Sequence, residues 1–578
     1  MEINSIKTNK TVNGLTGWVD TIRHHGGLLF IEIRDYQGKI QLVTDSPDKF
    51  PEVKNEFLIS ISGKVVKRDK DNINVNLEHG DKEIQLSELE VLSYSKVLPF
   101  QIEDNLDIDE QIRLKYRYLD LRRPEMQRNI QLRSDVFASI RSTMMAKNVN
   151  EIDTPTLIKS TPEGARDFIV PSRKNSGKFY ALPQSPQMYK QLFMISGFKS
   201  YYQIARCYRD EDSRKDRQPE FTQFDLEIPF SEPNDIQKII EELVTNLFKD
   251  CMDINIDTPF TRISYEECIL KYGTDKPDLR NPLDIKDITH IFDNTKIEFI
   301  SKLISDGSKV SAVINNNIYT RGEINKLDSE IKTLGSTGLG WFVIDGDKIT
   351  SPLAKIITDN EKDELNKLTK NNGTVFFQVG DPLIVNKYLA ELFTIDVSID
   401  NVYKFLWVDD FPYFETENGN LVPSHHPFTA PIDSKSFIKS PNTAKAHHYD
   451  LVLNGVELGS GSKRISDPEL QIEVLKKWGL NDDEINERFS WFIEALSYGT
   501  PPHAGIALGL DRLISTMLNL TSIRDAIPFP KTQTGYDPLS EAPSRIDQDI
   551  LDEYKLSVDA STVNNSAKYL FTIKGSPT

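Results

Sequence analysis

The run RCYRDEDSRKDRQPEFTQFDLEI, Arg206 to Ile228, crowds charge around a proline and then alternates. Read with a period of two, Cys207, Arg209 and Glu211 share one face, and Phe221, Gln223, Asp225 and Glu227 share one face of the returning strand. A sheet face of Arg, Glu, Gln and Asp with one aromatic is wrong for a core. It is also more specific than solvent exposure requires, so this hairpin is expected to hold a small polar molecule.

Positioning such a face takes a large chain. At 578 residues it exceeds a single core and should divide into roughly three or four domains. A hydrophobic content of 38% with 27% charged residues is ordinary for a folded globular protein, and no run of about 18 apolar residues offers a membrane span. The opening MEINSIKTNK lacks an apolar run followed by small residues, so no secretory signal is read and the cytoplasm is the expected compartment. Cys207, Cys251 and Cys268 lack CxxC spacing, which argues against a disulfide framework and a zinc site. The adjacent pairs His24-His25, His425-His426 and His447-His448 would point to opposite sides of an extended chain and chelate poorly. A formal charge of −18 repels phosphate backbones, so any nucleic-acid binding must rest on local basic patches.

The first hundred or so residues read as short strands broken by turns: LTGWVDTI, LLFIEIRD, KIQLVTD, FLISISGKVVKR and EIQLSELEVLS, with turns at Gly26-Gly27 and Gln37-Gly38. Five short strands in a small unit suggest an OB-type barrel. Leu29, Ile31 and Ile33 fall on one face, leaving Phe30 on the polar side with Glu32 and Arg34; Gln41 continues the outward face, and Arg23 and Arg68 lie near turns. An outward aromatic framed by Arg and Gln on a small barrel is how single-stranded bases are stacked, although a lone surface Phe is common.

Residues 106–129 are dense in both signs of charge and read as a polar helical linker or hinge, with Pro124 marking a break or a first turn. A helix is expected from about Ile130 to Lys147, then a strand carrying Pro155 at an edge or interface. Alternating helical and apolar runs then mark a separate α/β insertion over residues 285–412. Polar, glycine-spaced runs resume at PSHHPFTAP, GVELGSGSKRI and GIALGLDRL.

The hairpin with RQPEFTQFD, the GIALGLDRL run bearing Arg512, and the Pro155 segment resemble, in order, motifs 2, 3 and 1 of class II aminoacyl-tRNA synthetases. TPEGARDF, ALPQSPQMYKQL, YGTDKPDLRNP, HHPFT, GVELGSGSKRI and YGTPPHAG narrow the resemblance to the bacterial-type aspartyl enzymes, over nearly the whole chain. The resemblance implies an α/β multidomain protein: an OB-fold anticodon-binding barrel (1–105), the linker, a catalytic domain on an antiparallel sheet flanked by helices (130–284 and 413–578, the latter with a carboxyl-terminal extension), and a GAD-like insertion (285–412).

Activation of an amino acid joins its α-carboxylate to the α-phosphorus of ATP, so phosphate charge must be neutralised and two anions aligned. The resemblance implies that Arg209 and Arg512 clamp phosphates, that Phe221 stacks on adenine, and that Asp210, Glu211 and Glu457 lie near ATP, with Glu457 and Asp450 as Mg²⁺ ligands. L-aspartate's side chain would meet Arg464 and Lys190; its ammonium would meet Glu163, Gln187 and Asp225, with Ser185 and Gln223 nearby. Gly459 and Gly461 are expected to let backbone approach a ligand, and His425 and His426 to belong to a loop closing over aspartate. No general base is needed, because the attacking carboxylate is already ionised at neutral pH. On the barrel, Phe30 would stack a central anticodon base while Arg23, Gln41 and Arg68 contact bases and phosphates. Partners would be tRNA-Asp and a second copy of the chain, with no DNA or membrane. His25, beside Gly26-Gly27, matches relatives that also charge tRNA-Asn. Two rivals stand beside this reading. An amide-forming relative adenylating aspartate would lack barrel and insertion, and a non-catalytic tRNA-binding relative would lack the clamp.

Overall fold

The computed structural model describes residues 3–36, 38–75, 79–105, 107–160, 164–211, 214, 216–281, 283–395, 401–417 and 420–558. The chain divides into two compact units, at residues 108 and 109. None of its described helices is long and apolar enough to cross a membrane.

The amino-terminal unit is a closed five-stranded barrel: β1 (Thr11–His25), β2 (Leu28–Arg34), β3 (Lys39–Thr44), β4 (Leu58–Lys67) and β5 (Lys82–Ser93), in the order β1-β2-β3-β5-β4. Closure places β3 beside β5 in parallel, while the other pairs are antiparallel. Alternation decides which side chains fill it: Leu29, Ile31 and Ile33 are buried with Ile40, Leu42, Ile59 and Ile61. Phe30 remains half-buried on the outer face, across from Arg23 and Val43.

The second unit is built on a seven-stranded sheet. Its strands are β6 (Tyr201–Tyr208), β7 (Glu220–Pro229), β8 (Thr261–Ser264), β9 (Phe405–Asp409), β10 (His448–Leu453), β11 (Val456–Lys463) and β12 (His503–Gly509), in the order β8-β9-β10-β11-β12-β7-β6. Only β8 and β9 run parallel. Helices α1 (Pro124–Ala146) and α3 (Pro233–Met252) cover one face, burying Val136, Ile140, Ile240 and Leu247 against Phe224, Leu226, Trp407 and Ile506. Between them in sequence, α2 (Gln187–Ile195) lies on the other face, and α6 (Leu510–Met517) follows β12. Helix α4 (Tyr265–Tyr272) leads into the insertion, whose sheet has Lys309–Asn315, Asn372–Gly380 and Gly340–Asp345 at its centre and whose helix α5 (Pro382–Phe393) packs back on α4.

Three expectations are corrected. The insertion does not reach residue 412, because Phe405–Asp409 pairs with His448–Leu453 inside the catalytic sheet. Residues 106–129 are no hinge from Asp109 onward: Asp120 is fully buried among Arg113, Arg117 and Arg123, and Arg117 donates to the carbonyls of Arg524, Ile527 and Pro528. A charge-dense run that reads as solvated is here a buried ion network, and Pro124 opens α1, where its missing N–H costs nothing. The strand expected around Pro155 reduces to isolated bridges, Glu151 with Tyr202 and Ile158 with Ala181.

Candidate active site

Residue alternation along β7 separates two buried faces. Phe224 and Leu226 enter the helix-covered core, while Gln223, Asp225 and Glu227 turn the other way, where Gln223 and Asp225 line a cavity of about 720 Å³. Across β6, Cys207, Ala205, Gln203 and Tyr201 stand opposite Phe221, Gln223, Asp225 and Glu227. The hairpin therefore carries a ligand side, with Cys207 buried in its base.

One end of the cavity is a buried ion cluster. Arg464, just beyond β11, donates from Nε and Nη2 to the Glu227 carboxylate at 2.9 and 3.1 Å and from Nη1 to Ser462 Oγ at 2.6 Å. Lys190, on α2, sits 3.1 Å from Asp225 and 3.3 Å from Glu227. Burial disfavours the Glu227 anion, but Arg464 and Lys190 outweigh it and hold the carboxyl below the usual range. Burial wins at Asp225, whose carboxyl is raised despite Lys190. Asp225 Oδ2 and Gln187 Nε2 have no partner among the described residues, so this end keeps an acceptor and a donor for a ligand. Ser185 and His426 also line it, and burial, then the charges of Arg464, Lys190 and Arg209, keep His426 neutral.

The other end is cationic and aromatic. The Arg209 guanidinium lies 5.0 Å over the Phe221 ring, and its Nε has no partner among the described residues. Arg512, on α6, donates to the Glu457 carbonyl at 2.6 Å and stands 3.6 Å from Asp216. Its neighbour Asp511 is fixed by Arg133 and by the Thr222 N–H at 2.8 Å, tying α6 to β7 and α1. Glu211 pairs with Arg217 at 3.2 Å, and the Glu457 carboxylate accepts from Lys276 at 2.8 Å and from Ser460 at 3.1 Å.

Several expected residues sit elsewhere. Asp210 is exposed, off the cavity wall, and hydrogen-bonded through its N–H to the Arg166 carbonyl. His425 also stays off the wall, stacked on His448 with ring centroids 3.8 Å apart and bonded to the Pro412 carbonyl. Asp450 lies behind the surface against His448 Nε2 at 2.8 Å; burial and the charge of Glu457 push its carboxyl well above the usual range. Gly459 and Gly461 make room for protein more than for ligand, since a Cβ there would strike the Ala507 carbonyl or the Tyr449 ring. Glu163 falls outside the described residues. Unforeseen were Glu227 as the partner of Arg464, Lys276 as the partner of Glu457, and the Arg133–Asp511 strut. Glu227 was legible as the last residue of the alternating face, and Lys276 as part of YGTDKPDLRNP; Arg133 gave no signal beyond a charge on a helix.

On the barrel, the outer face beside Phe30 is a ladder of paired charge. Glu32, Gln41 and Glu83 are cross-strand neighbours; Arg23 pairs with Glu32, Gln41 donates to Glu83 at 3.0 Å, and Arg68 lies 3.3 Å from Glu83. Arg68, just past the end of β4, is buried with its guanidinium turned toward Glu83. His25 is exposed at the β1–β2 turn, where Gly26 and Gly27 take φ of +58° and +83°.

Comparison with known proteins places this geometry in context. Residues 109–533 match the family described as tRNA synthetases class II (D, K and N), and residues 15–92 match an OB-fold nucleic acid binding domain. An aspartate–tRNA(Asp/Asn) ligase of Hydrogenobaculum sp. is 44% identical over 573 residues, covering 94% of this chain and 96% of the relative. A ligase of the same name from Dictyoglomus turgidum is 45% identical over 564 residues, covering 94% of this chain and 95% of the relative. Among solved structures, the asparaginyl-tRNA synthetase of Pyrococcus horikoshii complexed with asparaginyl-adenylate superposes with a TM-score of 0.57 at 20% identity, covering 94% of this chain and 99% of that one. At that identity the likeness concerns the fold.

Proposed function

Because the chain belongs to the class II tRNA synthetases of the D, K and N group, we propose that it activates L-aspartate with ATP and transfers it to the 3′ end of tRNA-Asp. The observation that carries this reading is a single cavity with a buried Arg464–Lys190–Asp225–Glu227 cluster at one end and the Arg209–Phe221 stack with Arg512 at the other. An anionic amino-acid side chain fits the first end and a nucleotide triphosphate the second.

Glu227 occupies the Nε edge of Arg464 and Ser462 Oγ takes one Nη1 proton, which leaves the remaining Nη1 and Nη2 protons to fork onto a substrate carboxylate. Asp225 Oδ2 would accept from the substrate ammonium. With these contacts made, the α-carboxylate oxygen attacks the α-phosphorus, the bond from phosphorus to the bridging oxygen breaks, and pyrophosphate leaves. Arg209 and Arg512 hold the phosphates in line and stabilise the charge that spreads over them. The terminal ribose hydroxyl of tRNA then attacks the adenylate carbonyl and AMP leaves.

Glu457 would hold the Mg²⁺ that this family implies, whereas Asp450, bound to His448 behind the cavity wall with its carboxyl raised, is not placed to join it. A carboxylate is a hard oxygen donor, and no cluster of three or more metal-ligating side chains exists among the described residues. That donor set fits an ion that keeps water and phosphate oxygens as its remaining ligands. When bound, it neutralises phosphate charge.

The barrel would grip the anticodon with a base stacked on Phe30, and Arg23 and Gln41 beside it. We extend the proposal to tRNA-Asn on the strength of His25, exposed at the turn next to that platform. A homodimer is proposed through the segment around Pro155, where Leu157 is 50% exposed. Aspartate-dependent exchange of pyrophosphate into ATP tests activation, and charging of separately purified tRNA-Asp and tRNA-Asn tests transfer. Exchange driven equally by asparagine would overturn the amino-acid assignment, and failure to charge tRNA-Asn would restrict the enzyme to one tRNA. A monomer at micromolar concentration by light scattering would refute the dimer.

A further inference from the structure

Lys276 reaches the nucleotide end of the cavity from outside the catalytic sheet. Its ammonium lies 2.8 Å from Glu457 Oε2, on the carboxylate that would meet the metal, while its side chain also lines a second cavity of about 790 Å³ between catalytic domain and insertion. The loop that delivers it is held at both ends. At its start, α4 ends at Gly273 with φ of +67°, where a Cβ would collide with the Asn386 carbonyl and the Ala390 methyl of α5. Asn386, almost fully buried, donates from Nδ2 to the carbonyls of Ile269 and Leu270 at 3.3 and 2.8 Å, so the insertion satisfies the last turn of α4. Beyond Lys276, Asp278 grips Arg280 with contacts of 2.7 to 3.2 Å and seats against Gly455, in the turn that leads into Glu457. Asn281 then donates to the Ile395 carbonyl at 2.9 Å.

We propose that Lys276 is the resident counter-cation of Glu457 in the nucleotide-free enzyme, and that the insertion's task includes holding it there. An ammonium on Glu457 competes directly with a divalent cation for the same oxygens. A nucleotide changes the balance, because its phosphates, drawn to Arg209 and Arg512 in the same cavity, offer Lys276 a second anion as the metal takes the first. A metal ion would thus enter together with the triphosphate and not ahead of it.

The inference rests on the reading of Glu457 as the carboxylate that faces the nucleotide's metal. It is tested with Mn²⁺ as the probe, titrated into full-length protein and followed by electron paramagnetic resonance, with and without a non-cleavable α,β-methylene analogue of ATP. Lys276→Met should bind Mn²⁺ at least tenfold more tightly than wild type without nucleotide, and the analogue should tighten the wild type more than the variant. Asn386→Ala, outside the lining of the cavity that holds Arg209, Arg512 and Glu457, should shift nucleotide-free Mn²⁺ affinity the same way by a smaller factor. Equal Mn²⁺ affinities, within twofold, for wild type and a folded Lys276→Met overturn the role of Lys276; a shift with Lys276→Met and none with Asn386→Ala overturns that of the insertion. Aspartate-dependent pyrophosphate exchange by the wild type scores the ligase reading separately, so exchange with unaltered Mn²⁺ affinity overturns only this inference.

Discussion

Replacing Arg464 by lysine keeps the charge and removes the fork. In the structure the guanidinium makes three contacts, two to Glu227 and one to Ser462, and still presents an outer edge to the cavity. An ammonium in its place, with three protons, can hold one Glu227 oxygen, Ser462 Oγ and one substrate oxygen. The protein then loses one charge-assisted hydrogen bond, about 1.5–3 kcal/mol of folding stability, and the substrate loses another of similar size. At 1.36 kcal/mol per decade, the second loss is roughly a 10- to 150-fold fall in kcat/KM for aspartate. Asparagine lacks the second anionic oxygen, so its much lower kcat/KM should move by less than about threefold. Pyrophosphate exchange at saturating ATP with each amino acid measures both values, and a thermal melt shows whether the variant is folded. A folded Arg464→Lys protein whose aspartate kcat/KM stays within about threefold of wild type, or one that loses both amino acids in equal proportion, would refute Arg464 as the selecting group.

Asp120→Asn leaves three arginines around a neutral amide in a buried site, and should lower unfolding free energy by about 3–5 kcal/mol in urea; a loss under about 1 kcal/mol would show that the network is solvated. Phe30→Ala should raise KM for tRNA by about 1–3 kcal/mol, or roughly 5- to 150-fold, without altering tRNA-independent pyrophosphate exchange, and an unchanged KM contradicts the stacking platform. Burial holds His425, His426 and His503 neutral in the fold and depresses His448 to about 3, so the unfolded chain takes up protons first as pH falls through roughly 6.5. A histidine kept neutral costs at most about 1.4 kcal/mol of stability by roughly pH 5.5, and Asp450, shifted the opposite way by burial, offsets part of the sum. The urea midpoint should therefore drop between about pH 7 and pH 5.5; a midpoint that holds or rises contradicts the buried neutral histidines.

What sequence could reveal depended on whether the physics was local. Period-two alternation located the faces of β2 and β7 because a strand needs no partner to decide which side its residues take. The partner of Arg464 was another matter: Glu227 lies 237 positions earlier, and nothing in either neighbourhood names the other. Charge density misled for the same reason in residues 106–129, since Asp120 is surrounded by nearby arginines but buried by a segment near residue 525. His425 and His426 read alike as neighbours in SHHPF, yet the bend they form sends His426 toward the cavity and His425 onto His448. The extent of the insertion was blurred because Phe405–Asp409 is as apolar as the strands before it, and sheet membership is a matter of pairing.

Arg117 donates to the Pro528 carbonyl across 411 positions of chain. At about 5–20 residues per second, a ribosome needs roughly 20–80 s to make the intervening polypeptide. During that wait the barrel, complete within the first 108 residues, can fold alone, while the guanidinium destined for the interior stays hydrated. The second unit closes only when its far end emerges, so a chain truncated before residue 528 should leave a folded nucleic-acid-binding barrel tethered to an unfinished catalyst.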